Sequence, residues 1–393
     1  MIYLDNASTT PLSGVVFDVM QPYLTEQYGN PGSLHSLGRS AKTAVEEARK
    51  QVASFLGAKP EQIIFTSGAT EANNMVFEIT RRALERTGKT HVITSQIEHK
   101  SVLKSVQRLV EEHGFTADYV GVSQNFSPHP VGLEESISPN TGLVSIMYAN
   151  NEIGFAFDVR SVGKLCNEHG VLFHTDCVQA AGCRPLSVEE IGCDFATISA
   201  HKIHGPKGVG ALFIKEPERW KPMILGGDDQ EFGMRGGTEN VPAIVGFGAA
   251  CTLAAHDLPA NAEHLEELKS LFVRKFSNTL AFLGTNIQPQ YVPTHPATKT
   301  MSVCLPGVDA ESLILLADNT GVCISAGSAC NTREHKPSHV LTAVGLTPEQ
   351  ARSSFRVSFS RKNTNEDVEE AAAKLALCAS ILWRNGLKYG KEN

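Results

Sequence analysis

Short apolar runs recur through the first half of the chain, each closed by small or polar residues and followed by a stretch of helical spacing. That alternation predicts an α/β domain built on a mainly parallel sheet, because crossover helices must link parallel strands. Strands are expected at 63–66, 91–95, 143–148, 171–175, 194–199 and 209–214, and helices at 41–56, 100–113 and 162–169. Beyond about residue 255 the texture changes. A charged helical stretch (262–280) leads to extended runs at 300–305, 321–325 and 355–359, with helices at 310–319 and 365–384. The pattern predicts a large domain over 13–258 and a smaller α+β domain made of 1–12 and 259–393. In open α/β sheets ligands gather beyond the carboxyl ends of the strands, so the residues closing each apolar run are the candidates for chemistry.

Composition narrows the partners. The 393 residues carry a formal charge of −7 and 41% hydrophobic residues, the profile of an ordinary globular chain. The acidic balance argues against direct nucleic-acid binding, which needs basic surface to displace counterions. No segment reaches the roughly 18 uninterrupted apolar residues of a membrane span, and no basic-then-apolar leader opens the sequence. Nine cysteines, odd in number and scattered, read as reduced thiols, and the expected location is the cytoplasm.

Three strand ends carry candidate chemistry. The first is Ser199-Ala200-His201-Lys202, where an apolar run meets a Gly/Pro turn. An isolated lysine in a turn is ordinarily a solvated surface residue. A lysine facing a cleft beside other cations loses basicity and becomes competent for Schiff-base chemistry. The second is Asp176, closing a buried-strand pattern, with Gln179 three residues on. A carboxylate there can cap the next helix or pair with a protonated pyridine nitrogen. The third, Thr66-Ser67-Gly68-Ala69-Thr70-Glu71, turns a strand into a helix whose free N–H groups suit a phosphate. It lacks both the dinucleotide and the Walker A glycine spacing.

Together with further ordered motifs, these segments resemble the class V aminotransferase group of pyridoxal 5'-phosphate (PLP) enzymes, and within it the cysteine desulfurases. The motifs are Tyr3-Leu4-Asp5-Asn6-Ala7-Ser8-Thr9-Thr10-Pro11, Gly29-Asn30-Pro31-Gly32-Ser33, Glu98-His99-Lys100, Asn150-Asn151-Glu152-Ile153-Gly154, Arg235-Gly236-Gly237-Thr238 and Ser325-Ala326-Gly327-Ser328-Ala329-Cys330. The resemblance implies the PLP-dependent transferase fold type I. It implies Lys202 as the residue that carries the cofactor, Asp176 on the pyridinium, and Gln179 and Asn151 on the phenolic oxygen. Ala69, Thr70, Ser199 and His201 would anchor the phosphate, and Thr238 would reach the phosphate of a second subunit in a homodimer. His99 would stack on the ring and shuttle protons, and Arg356 would clamp the substrate carboxylate, aided by Asn151.

Cys330 stands apart from Cys251 and Cys323, which lie in apolar surroundings and read as small buried hydrophobes. Its polar neighbours Ser328, Asn331, Thr332 and Arg333 favour an accessible thiolate. The resemblance makes it the nucleophile that takes sulfur from L-cysteine as a persulfide, leaving L-alanine, before delivery to an acceptor protein. Metal is not expected: His335 and His339 have helical spacing, but Pro337 sits between them. Two features depart from the desulfurases of iron-sulfur cluster biogenesis: Asn331-Thr332-Arg333-Glu334-His335-Lys336 replaces small residues, and no long tail follows. Arg235-Gly236-Gly237-Thr238-Glu239-Asn240 is also similar to selenocysteine lyase, so selenium is the near alternative. A simple aminotransferase would have no use for the Cys330 loop. A non-catalytic docking protein would have lost Lys202, Asp176 or Cys330.

Overall fold

The computed structural model describes residues 1–123, 125–227, 229–327 and 337–389, with the side chains of 387–389 left aside. Cys330 and its neighbours from Ser328 to Lys336 lie outside the described residues. The chain starts with the two-residue strand β1 (Ile2–Tyr3) and then builds seven strands into one sheet. These are β2 (Ile63–Thr66), β3 (His91–Ser95), β4 (Thr116–Val120), β5 (Thr141–Ser145), β6 (Leu172–Asp176), β7 (Phe195–Ser199) and β8 (Gly210–Ile214). The spatial order is β2-β8-β7-β6-β5-β3-β4. Pairing is parallel from β4 through β7, and β8 runs antiparallel to both β7 and β2.

Strands β2, β3, β5, β7 and β8 are buried at every position, so their continuous apolar runs need no alternation. β4 differs. Its sequence Thr116-Ala117-Asp118-Tyr119-Val120 is mostly exposed at the sheet edge, and no apolar run announces it.

The smaller layer holds β9 (Gln290–Tyr291), β10 (Thr300–Cys304), β11 (Val322–Cys323), β12 (Ser325–Ala326) and β13 (Ser354–Ser358). Four of them form an antiparallel sheet in the order β12-β13-β10-β9, while β11 pairs with β1. The N-terminal segment thus belongs to this layer. Its core is separate, built by Leu4, Phe272, Phe276, Val303, Phe355, Val357 and Leu375.

The helix Val241–Phe282, 42 residues long, connects the two layers without a break at residue 258, and Pro259 lies inside it. It is long and apolar enough to cross a membrane by length and composition, which an uninterrupted-run criterion does not detect. Its apolar residues have partners within the protein: Phe247, Ala250 and Cys251 join the core of the large sheet, and Leu265, Leu268 and Phe272 that of the small one.

Candidate active site

A cavity of about 570 Å³ opens where β6 and β7 end, and it collects side chains from both layers. Helix geometry and two glycines shape one wall. Gly68 adopts φ 153° and ψ 178°, a conformation open only to glycine, and it caps the helix Ala69–Thr87. A Cβ on Gly210 would lie 2.8 Å from the Gly68 Cα and the same distance from the Ile198 carbonyl oxygen, so position 210 admits no side chain without moving backbone, whereas at Gly68 it is the φ that excludes one. The first amides of that helix have no carbonyl partner within it and point their positive end toward the cavity lined by Ala69 and Thr70.

Lys202 follows β7 in a single 3-10 turn, Ala200–Lys202. Its Nζ donates to the carbonyl oxygens of Ala7 at 2.5 Å and Ser8 at 2.7 Å, so β1's downstream segment forms the opposite wall. Burial, then the charges of Lys299 and Arg356, push the amine down to about 7 from its ordinary 10.5. Lys299 is fully buried and donates from Nζ to the Lys202 carbonyl oxygen at 2.9 Å. That residue carries no sequence motif. His201, beside Lys202, faces Thr9 Oγ1 through Nδ1 at 3.1 Å and is pushed down to about 4, chiefly by burial.

Asp176 closes β6 as a buried carboxylate. Its Oδ2 accepts from Asn73 Nδ2 at 2.9 Å and its Oδ1 from the Val178 amide at 3.0 Å. Gln179 donates from Nε2 to Ala7 O at 3.0 Å, while its buried Oε1 has no partner among the described residues. His99 caps the helix Lys100–His113, accepting at Nδ1 from the Ser101 amide. Burial lowers its basicity, with Asp176 opposing and Lys202 reinforcing the shift.

Arg356 projects from β13 and is 2% exposed. Its Nη2 reaches Asp5 Oδ1 at 2.7 Å and Ser8 Oγ at 2.6 Å, and its Nη1 donates to the Asn151 carbonyl at 2.9 Å. Only Nε lacks a partner. A carboxylate ligand would therefore share this guanidinium with Asp5 or displace it.

The cavity brings together Ala69, Thr70, His99, Asn151, Asp176, Gln179, Ser199, His201, Lys202 and Arg356. Thr238 is not among its lining residues; it is exposed on the loop after Gly236-Gly237. That loop is tied down by two ion pairs. Glu231 accepts from Arg49 Nη1 at 2.8 Å and Nη2 at 2.9 Å, both partners being buried, and Arg235 Nε meets Glu71 Oε1 at 3.0 Å. Two buried carboxyls that the sequence left unassigned also line the cavity. Burial pushes Glu98 up to about 8, and raises Glu152 as well.

Glu152 marks where the undescribed segment leaves and returns. Ser338 Oγ donates to its Oε2 at 2.5 Å, and a Cβ on Gly327 would lie 2.9 Å from the same oxygen. Residues on both sides of the segment carrying Cys330 thus lie beside the cavity.

The eight described cysteines are free thiols, and none lines the cavity. All are shifted upward, away from the thiolate, with burial the largest cause in each; Cys166 rises to about 12. Cys251 is fully buried, as its apolar stretch suggests, but Cys323 is partly exposed at the end of β11. β11 has only β1 as a partner and sits at the edge of the layer, which is why an apolar neighbourhood does not bury it.

The residues present fit PLP. A wall without side chains at a helix N-terminus suits a phosphate. A buried carboxylate suits a pyridinium, Gln179 on the cavity wall keeps a buried Oε1 without a partner among the described residues, and the amine of Lys202 is close to neutrality.

Comparison with known proteins agrees with this chemistry. The aminotransferase class-V family model matches residues 2–371. The chain is 41% identical over 367 residues to the cysteine desulfurase IscS of Dictyoglomus turgidum, covering 93% of this chain and 91% of that protein. A NifS-like protein of known structure superposes with a TM-score of 0.86 at 35% identity, covering 97% of this chain and 99% of the other. SspA, solved in complex with cysteine, superposes with a TM-score of 0.78 at 32% identity over 93% of this chain and 100% of its own.

Proposed function

The chain belongs to the class-V aminotransferase family, and from that premise we propose that it is a cysteine desulfurase, taking sulfur from L-cysteine onto Cys330 and releasing L-alanine. The observation that carries this reading is the pairing of a near-neutral Lys202 with a cavity that no described thiol lines. The family resemblance puts Cys330 in the role of sulfur acceptor, and what supports it is that Gly327 and Ser338, flanking its segment, sit at Glu152 on the cavity wall.

PLP, when bound, supplies the electron sink that makes proton loss at the substrate Cα accessible. The protein's part is positional and protonic. Asp176, fixed by Asn73 and the Val178 amide, is the carboxylate that would pair with the cofactor's pyridine nitrogen. Lys202, near neutrality at pH 7, is a base able to accept the Cα proton. Arg356 would meet the substrate carboxylate through the Nη2 edge that Asp5 and Ser8 share. Cys330 thiolate attacks the substrate sulfur, an S–S bond forms as the C–S bond breaks, and His99 moves a proton nearby. Cysteine plus one enzyme thiol gives alanine plus one enzyme persulfide, so no external oxidant is required.

The purified protein, supplied with PLP and L-cysteine, is expected to form one alanine per sulfur transferred, with a first-turnover persulfide on Cys330 by mass spectrometry. Alanine formed only in the presence of a keto acid would replace this reading with transamination.

The same reading makes the protein a homodimer in which Thr238 serves the partner's site. Supporting it, Val15, Phe17, Val19 and Leu24 are exposed on the helix Gly14–Thr25, as are Leu225 and Phe232 near Thr238. Large exposed apolar side chains of this kind are what a subunit interface would cover. Sedimentation should give a dimer, and a fully active, cofactor-loaded monomer would refute the assignment of Thr238.

A further inference from the structure

His99 belongs to a chain of hydrogen bonds that the sequence motifs do not reveal. Its Nδ1 lies 3.2 Å from the Ser101 backbone nitrogen and 2.7 Å from Ser101 Oγ. A backbone N–H can only donate, so Nδ1 presents its lone pair. Ser101 Oγ in turn lies 2.9 Å from Asn73 Nδ2, and the same amide nitrogen lies 2.9 Å from Asp176 Oδ2. The Asp176 carboxylate fixes which way the Asn73 amide faces, since a carbonyl there would oppose a carboxylate. Asn73 is fully buried, so its two amide protons go to Asp176 and Ser101 rather than to water. With Ser101 Oγ accepting from Asn73, the hydroxyl's own proton is directed at His99.

We propose that Ser101 and Asn73 are positioning residues that hold the neutral His99 ring as the Nε2–H tautomer and link it to the Asp176 carboxylate. Two donors converge on Nδ1, so adding a proton there sets donor against donor. The ring therefore stays neutral, and the proton it offers is on Nε2. The charged groups acting on His99 divide accordingly: Asp176 favours protonation, whereas Lys202, His339 and Lys100 oppose it, and burial opposes it most. Asn73 ties the histidine to the same carboxylate that faces the cofactor's place, so orientation of the two groups is set by one amide. The inference deepens the function proposed above, because it rests on His99 as the group that moves protons.

The test uses cofactor-free protein labelled with 15N-histidine, so its outcome is independent of turnover. The His99 signals, identified by their loss in His99→Gln, should show a proton on Nε2 and none on Nδ1. Ser101→Ala removes one of the two donors and should raise the proton affinity of His99 about three- to tenfold. The ring then becomes protonated at a higher pH than in the wild type. Ser101→Thr keeps the hydroxyl and should restore the wild-type behaviour. In the loaded enzyme the acidic limb of the pH–rate profile should move with Ser101→Ala and return with Ser101→Thr. An Nδ1–H tautomer in the wild type would overturn the proposal, as would a Ser101→Ala protein whose His99 titrates unchanged. A wild-type protein that showed the Nε2–H tautomer yet released no alanine would keep the relay and remove the desulfurase reading instead.

Discussion

Lys202→Ala should yield a folded protein that binds PLP without a borohydride-reducible link and releases alanine from L-cysteine at least about 10³-fold more slowly. The amine sits between the Ala7 and Ser8 carbonyls with the charges of Lys299 and Arg356 nearby. Among the described residues two other lysines line the same cavity, Lys100, half-buried at a helix start, and Lys207, which is exposed. Mass spectrometry placing the reduced cofactor on Lys207 would sink the assignment. The substitution has a second signature in the cofactor-free protein. Folding lowers the Lys202 amine from 10.5 to about 7, so between those values the unfolded chain binds the extra proton. Stability from this group therefore rises as pH increases through that window. Urea midpoints at pH 7 and pH 9.5 should show that slope in the wild type, and the slope should be smaller in Lys202→Ala.

Most strands of the large sheet were legible because burial on both faces leaves each a short apolar run closed by small or polar residues, without strict alternation. β4 was not, since an edge strand that exposes Thr116 and Tyr119 has the texture of a loop. The long helix was legible only in its second half, from 262. Its change from apolar to charged residues near 255 marks the passage from one core to the other, with exposed turns between, rather than the end of an element. At the site, the residues closing β6 and β7 could be found because strand ends in such sheets face the ligand. Contacts between distant segments could not. Asn73 meets Asp176 across 103 positions and Arg49 meets Glu231 across 182, and neither pair has a spacing that sequence reading can use. Lys299 escaped notice for the same reason: its partner is a backbone carbonyl 97 positions away. Arg356 was found by resemblance, but only the structure shows that Asp5 and Ser8 already occupy part of its fork.

Cys330→Ser should still bind L-cysteine and change the cofactor's absorbance, because in the proposed function the steps up to Cα proton removal rest on Lys202, Asp176 and His99 and do not involve Cys330. Alanine release should nevertheless collapse by at least about 10³-fold, since a serine hydroxyl is almost entirely protonated at neutral pH and cannot replace a thiolate as nucleophile. None of the other thiols is placed to substitute. Cys177, next to Asp176, is fully buried and held protonated, and Cys183 is buried in the other layer's core, where burial raises its thiol. Cys323 is partly exposed but its thiol is raised by burial and by Asp318 and Asp5, so its thiolate fraction is small. A persulfide found on Cys323 or Cys177 would therefore contradict both the assignment and this electrostatic ranking. Wild-type alanine release by Cys330→Ser would contradict it outright. Loss of turnover with L-cysteine but not with L-selenocysteine would have a separate meaning. Selenolate leaves without a thiol to receive it, so that result would favour a selenocysteine lyase acting through the same Lys202, Asp176 and His99.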